Sequence, residues 1–322
     1  MSEVAEELLL HSFDPQSVRR AIVISQPFRS PVDFLLSRLT IAIVISMFKE
    51  SFFDLLEPRM TIRSISPSLA GIVELLELEQ PALVSTQDIT DLAEQIGLDW
   101  PAGLVVRRLR ERGWLLDVGV RGVWEFIPAA RAGVYGAGDR MTTLRAALHR
   151  NPDANFAVAE ESAAFLLGYS SRPPSKEVVA VPPHESVPPA LRKGRVVRWQ
   201  SHIEPKRLND LPVWPVETLL AAMASRPSGY RDWPNVGEWI GAAARDADLG
   251  ELRLELHDRG RAAWARMAYL LWLAGCGDDA DLLLADAPEG KGPFYLGNRD
   301  KDGTYVRKFE VIDSTGMEVT SF

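Results

Sequence analysis

From Leu69 onward the apolar positions fall into a regular order. Leu69, Ile72, Val73 and Leu76 recur at helical spacing with Glu74, Glu77 and Glu79 on the opposite side, and Pro81 ends the pattern. In "STQDITDLAEQIGL" Ser85 stands where a helix N-cap is needed, with Asp88 three residues on. Ile89, Leu92, Ala93 and Ile96 supply the apolar face of this second helix and Gly97 its stop. Pro101 suits the first position of a third helix and Gly113 the position just past its end. The alternation in "WLLDVGVRGVWEF" then predicts two short strands around a turn containing Gly119 and Gly122.

Three helices followed by a hairpin is the order of a winged helix-turn-helix. On the third helix Leu104, Val105 and Leu109 form the apolar face, while Arg107, Arg108 and Arg112 are free to face outward. Guanidinium groups on such a helix bridge phosphates and fork onto guanine edges in a major groove, and Arg121 near the hairpin tip is placed to reach a neighbouring phosphate. The acids of the first two helices are expected to face away from DNA. The competing reading is a solvated basic helix in a module used only for protein contacts.

The remainder is less regular. Residues 129–211 predict a helix over Met141 to His149, a small-residue helix in "FAVAEESAAFLLG" ended by Gly168, strands in "EVVAVPP" and "RVVRWQ", and a Pro-rich loop from Pro182 to Pro189. Arg192, Lys193, Arg195, Arg198, Lys206 and Arg207 make its second half basic, either as solvated strands and loops or as a second anion-facing patch. Residues 212–322 read as mainly helical, through "PVETLLAAMASRP", "WPNVGEWIGAAARDA" and "RGRAAWARMAYLLWLAGCG". In the last of these Trp264, Met267 or Ala268, and Leu271 have core spacing. "GPFYLGNRDKDGTYVRKFEVIDS" predicts a pair of strands across the "NRDKDG" turn. Residues 1–59 do not connect with this order; Met60 could itself be a translation start, and they read either as a peripheral N-terminal extension of unknown role or as an artefact of start-site choice. The expected divisions are therefore 1–59, a winged helix over 60–128, and a C-terminal region over 129–322.

Composition removes several classes of function. A net charge of −8 over 322 residues argues against whole-surface nucleic-acid binding, so any such site is local and its affinity is expected to fall steeply with salt. The single cysteine, Cys276, cannot form an internal disulfide, which suits a cytoplasmic protein, and its setting between apolar residues and glycines reads as packing. The apolar run from Phe34 to Phe48 is shorter than a membrane span and is interrupted by Arg38. The sequence has no CxxC pair, HExxH, Walker lysine loop or GxSxG elbow; "GVYGAG" at Gly133 has the wrong spacing for a dinucleotide fingerprint, and Asp300 and Asp302 lack the glutamate of a calcium loop. Glu160 and Glu161 are adjacent, so helical geometry points them apart and disfavours a catalytic pair. The expectation is no enzyme, no metal and no cofactor.

A series of segments in order, "RERGWLLDVGVRGVWEFIPAARAG", "ESAAFLLG", "LPVWPVETLLAAMASRP", "RDWPNVGEWI", "RAAWARMAYLL", "GPFYLGNR" and "FEVIDS", resembles the AbiEi-type antitoxins of type IV toxin-antitoxin systems in their actinobacterial form. The resemblance runs from about Leu69 to Ser314 and leaves out residues 1–59. It implies an α+β chain: a winged helix-turn-helix followed by a mixed α/β antitoxin region. The implied functions are repression of its own operon through inverted repeats in promoter DNA, with cooperative binding or self-association there, and neutralisation of a cognate nucleotidyltransferase toxin. Carried onto this sequence, it makes Arg107, Arg108 and Arg112 the DNA readers and Arg121 the wing contact. The alternatives are a protein-binding antitoxin that does not bind DNA, a winged-helix regulator unrelated to a toxin, and, without support in the sequence, an enzyme.

Overall fold

The computed structural model describes residues 65–131 and 139–318, all within a compact unit spanning Thr61–Phe322. The N-terminal extension, the Phe34 to Phe48 run and the glycine-rich segment at Gly133 lie outside the described residues. The architecture is mixed α+β.

The first region opens with α1 (Pro67–Glu79), β1 (Leu83–Ser85), α2 (Thr86–Gln95) and α3 (Ala102–Glu111), followed by the hairpin β2 (Leu115–Asp117) and β3 (Val123–Phe126). Proline in the first turn of α1 costs no hydrogen bond, and Leu69, Ile72, Val73 and Leu76 are all buried. Ser85 caps α2 through a reciprocal box: its hydroxyl accepts from the Asp88 N–H at 3.1 Å, and its own N–H donates to the Asp88 carboxylate at 2.7 Å. Gly97 and Gly113 follow their helices at φ +69° and +74°, conformations in which a side chain would be strained. The sheet has the order β1-β3-β2, antiparallel throughout.

Three details differ from the sequence reading. The strand β1 was not anticipated, because three residues show no alternation and acquire strand geometry only by pairing with β3. Ile96 is 37% exposed where a core position was expected. On α3, Val106 joins Val105 and Leu109 in the core, and Leu104 is only half-buried.

The second region is built on a five-stranded sheet of order β6-β5-β4-β8-β7, formed by β4 (Ala157–Val158), β5 (Val178–Val181), β6 (Arg195–Arg198), β7 (Lys206–Leu208) and β8 (Leu211–Val213). The β5–β6 and β4–β8 pairs are parallel, whereas β4–β5 and β7–β8 are antiparallel. Two helices, α4 (Thr142–Arg150) and α5 (Glu160–Leu166), belong to this region. The run "FAVAEESAAFLLG" is thus a strand followed by a helix. Ala157 and Val158 pair with Ala180 and Val179, and the chain turns into α5 at Glu160, which has φ +46°.

Next come α6 (Val216–Ser225), α7 (Trp233–Val236), α8 (Ile240–Asp246), α9 (Leu249–Leu256), α10 (Arg261–Leu273) and α11 (Gly277–Ala285). Trp264, Met267, Ala268 and Leu271 of α10 are buried as their spacing predicts, and they share one core with α6 and the tryptophans Trp233 and Trp239. The segment "WPNVGEWIGAAARDA" is two helices, and α9 and α11 were not anticipated. Cys276 precedes α11 half-buried, and burial raises its thiol pKa, which suits packing.

The last sheet corrects the expected strand pair. β9 (Phe294–Gly297) runs parallel to β11 (Val311–Ser314), and the antiparallel partner of β11 is β10 (Thr304–Val306). Aromatic Phe309 explains the choice: it is 1% exposed and packs on Tyr269 and Trp272 of α10, anchoring the β10–β11 hairpin against that helix. Among the described residues no helix is long and apolar enough to cross a membrane.

Candidate nucleic-acid interface

The basic edge of the first region is set by the way α3 packs. Val105, Val106 and Leu109 turn inward, so Arg107 and Arg108 project outward with side chains 64% and 48% exposed. Both lean on one carboxylate, Glu111, at 3.8 and 3.5 Å. Exposed pairs of this length contribute only about 0–1 kcal/mol, so either guanidinium is easily taken over by a phosphate. Arg110, which the sequence reading passed over, pairs with Asp117 at 3.4 Å and ties α3 to the hairpin.

Arg112 is placed differently from Arg107 and Arg108. It forms the C-cap of α3, is half-buried and is engaged by neighbouring groups. Arg121 is exposed at the hairpin turn, between Gly119 at φ +78° and Gly122 at φ +80°. These positive φ values give the tight turn its shape. The Gly122 carbonyl accepts from the Thr86 N–H at 3.0 Å, fastening the turn to the start of α2.

The hairpin tip also rests on the second region. Val120 packs against the core under the five-stranded sheet, and a Cβ placed on Gly119 would lie 3.6 Å from the Ala190 methyl. On the same side, His149 of α4 lies 3.4 Å from Asp88, and the Arg150 guanidinium comes within 4.0 Å of where a Gly122 side chain would start. The basic edge therefore continues from the hairpin onto the end of α4.

Beyond the first region several charged groups are buried. Arg195 of β6 bridges both Glu160, at 2.5 Å, and Glu161; the two carboxylates are 3% and 9% exposed. Their convergence overturns the expectation that adjacent glutamates point apart, because the positive φ at Glu160 departs from helical geometry at that residue. Glu161 also accepts from the Arg231 N–H at 3.0 Å. Burial raises the Glu160 pKa to about 7 against the opposing pull of Arg195.

Two further buried acids were missed. Glu255, fully buried, accepts from Ser201, Thr218 and the N–H groups of His202 and Ile203, and Glu217 caps the Asp248 N–H at 3.0 Å. The available signal was an acid on an otherwise apolar helix face, as in "VETLLAAMA".

The crystal structure of the RV2827C protein from Mycobacterium tuberculosis is similar, with 26% identity over 80% of this chain and 94% of that one, at a TM-score of 0.73. No curated protein matches the chain. Residues 156–273, from the residue before β4 to the end of α10, match the model of the AbiEi antitoxin C-terminal domain. They hold the Glu160–Glu161–Arg195 cluster and the Glu255 network. The chain thus carries, at its centre, an AbiEi antitoxin C-terminal domain over residues 156–273.

Proposed function

We propose that this antitoxin is also a DNA-binding autorepressor, with residues 67–127 acting as a winged helix and α3 as its recognition helix. One observation carries the reading: the element order helix, strand, helix, helix, strand, strand, with Arg107 and Arg108 exposed on the third helix. Arg107 and Arg108 read the major groove, Arg121 contacts a phosphate beyond it, and Arg112 supports the end of α3 while lying close enough for a backbone contact. The antitoxin role calls for a toxin partner. In the proposed system this is a nucleotidyltransferase, and the promoter carries inverted repeats that are bound cooperatively.

The test is a gel-shift titration of the full chain against DNA from immediately upstream of its own gene, beside a scrambled duplex. Selective binding that weakens steeply between low and moderate salt supports the repressor. Equal binding to both duplexes sinks it. A second reading has its own support: Val120 at the hairpin tip is packed on the second region, as expected of a module that stiffens the antitoxin domain for protein contact alone. Under that reading, Arg107→Ala with Arg108→Ala alters neither repression nor rescue from the toxin.

A further inference from the structure

A cleft of about 490 Å³ opens where the end of β6, the end of α6 and the start of α10 meet. Four arginines line it, Arg198, Arg226, Arg259 and Arg266, with a single carboxylate, Asp258. That carboxylate is already paired with His202 at 3.3 Å and His257 at 3.0 Å. Among the described residues none of the four guanidiniums lies within salt-bridge distance of a carboxylate, although Arg226 acts electrostatically on Glu160. Such a concentration of uncompensated cationic groups is costly in the absence of an anion.

The guanidiniums are held in place by backbone oxygens. Arg198 donates to Pro182 O at 2.8 Å and Glu185 O at 2.6 Å, Arg226 to Arg198 O at 3.1 Å, Arg259 to Gln200 O at 3.1 Å, and Arg266 to Ala224 O at 2.9 Å. Arg259 also lies flat over the Trp199 ring, 4.0 Å from its centroid. Each anchor uses one terminal nitrogen, and a guanidinium carries five N–H donors. Arg266 is 7% exposed, yet its Nε finds no hydrogen-bond partner; the same holds for the buried Nε of Arg259 and the hydroxyl of Ser225. Burial and repulsion from Arg299 lower the Arg266 pKa to about 10, which leaves it charged at neutral pH.

We infer that this cleft binds a small phosphate-bearing molecule, whose phosphate oxygens accept from the N–H groups that the lining arginines leave unused at the cleft surface. Several preorganised guanidiniums in one concavity match a multiply charged, many-acceptor anion better than a single carboxylate, and the volume is that of a small-molecule site. This site lies in the antitoxin domain, and the inference does not depend on the DNA reading of the first region.

The test is calorimetric titration of the full chain with inorganic pyrophosphate, and separately with a nucleoside diphosphate and with short single-stranded RNA. Saturable binding of pyrophosphate or the nucleoside diphosphate is expected, weakened about tenfold or more by Arg226→Gln and by Arg259→Gln. Arg140→Gln, which alters an exposed arginine paired with Glu177 outside the cleft, should leave it unchanged. Arg266→Lys keeps the buried charge and, if it folds with unchanged far-ultraviolet dichroism, should also weaken binding. Nucleoside diphosphate binding above that of pyrophosphate identifies a nucleotide as the source of the phosphate. Binding of RNA with neither small molecule bound overturns the inference, as does an equal loss in Arg140→Gln or no binding at all.

Discussion

Arginine has opposite circumstances in the two halves of this molecule. On α3, Arg107 and Arg108 are 64% and 48% exposed and share one distant, exposed carboxylate. On β6, Arg195 is 17% exposed and grips two buried glutamates. Solvent screens the first arrangement, so its charges are loosely held and available to a partner; the second is enclosed, so its charges are fixed to each other. Exposure thus separates arginines that should matter for binding from those that should matter for folding.

The largest expected effect lies at the buried end. Arg195→Ala strands Glu160 and Glu161 beside each other with no counter-charge and should destabilise the fold by about 3–5 kcal/mol. Urea unfolding of the full chain measures this, and a loss under about 1 kcal/mol would place the pair in contact with water after all.

The same cluster should be sensitive to pH. Burial raises the Glu160 pKa from 4.5 to about 7, so the folded state holds a proton that the unfolded chain releases. Its contribution to stability is therefore fully present below about pH 4.5 and is lost as the pH rises through about 7, by about 3 kcal/mol. Glu160→Gln removes this titration. Wild type should lose stability relative to Glu160→Gln between about pH 5 and about pH 8, and parallel stability curves would contradict the protonated, buried carboxyl.

At the exposed end the expectation reverses. Arg107→Ala and Arg108→Ala should each cost about 1–3 kcal/mol of promoter affinity while changing unfolding stability by no more than about 0.5 kcal/mol. Repression should fail while rescue from the toxin persists. A double variant that unfolds more easily would return these residues to the structural side of the comparison.

The contrast was legible in only one half of the sequence. Capping by Ser85 and Asp88, the stops at Gly97 and Gly113 and the α3 stripe are signals spanning a few residues, and they located the three helices and the hairpin. In the Glu160–Glu161–Arg195 cluster the arginine lies 34 positions beyond Glu161, and the contact depends on β5–β6 pairing, which no local pattern encodes. Arg198, Arg226, Arg259 and Arg266 are likewise scattered along the chain and meet only through tertiary packing. Among the helices, α9 escaped notice because Leu254, at 49% exposure, and the buried Glu255 invert the usual apolar face. The β9–β11 pair escaped because parallel partners are never joined by a tight turn.

The smallest expected effect separates the two readings of α3 most cleanly, because its sign is unusual. Glu111 is the last residue of α3 and the acid shared by Arg107 and Arg108, and a negative charge at a helix C-terminus already opposes the helix dipole. Glu111→Gln should therefore leave stability within about 0.5 kcal/mol, since the pairs lost are long and exposed. On DNA the same change removes a carboxylate that competes with phosphate for two guanidiniums. Promoter affinity should rise by about two- to fivefold at low salt, with the gain shrinking as salt screens the competition. A substitution that strengthens binding cannot be explained by damage to the fold. If Glu111→Gln instead leaves promoter and scrambled DNA bound equally, at unchanged affinity, Arg107 and Arg108 are solvated surface charges and α3 serves protein contact.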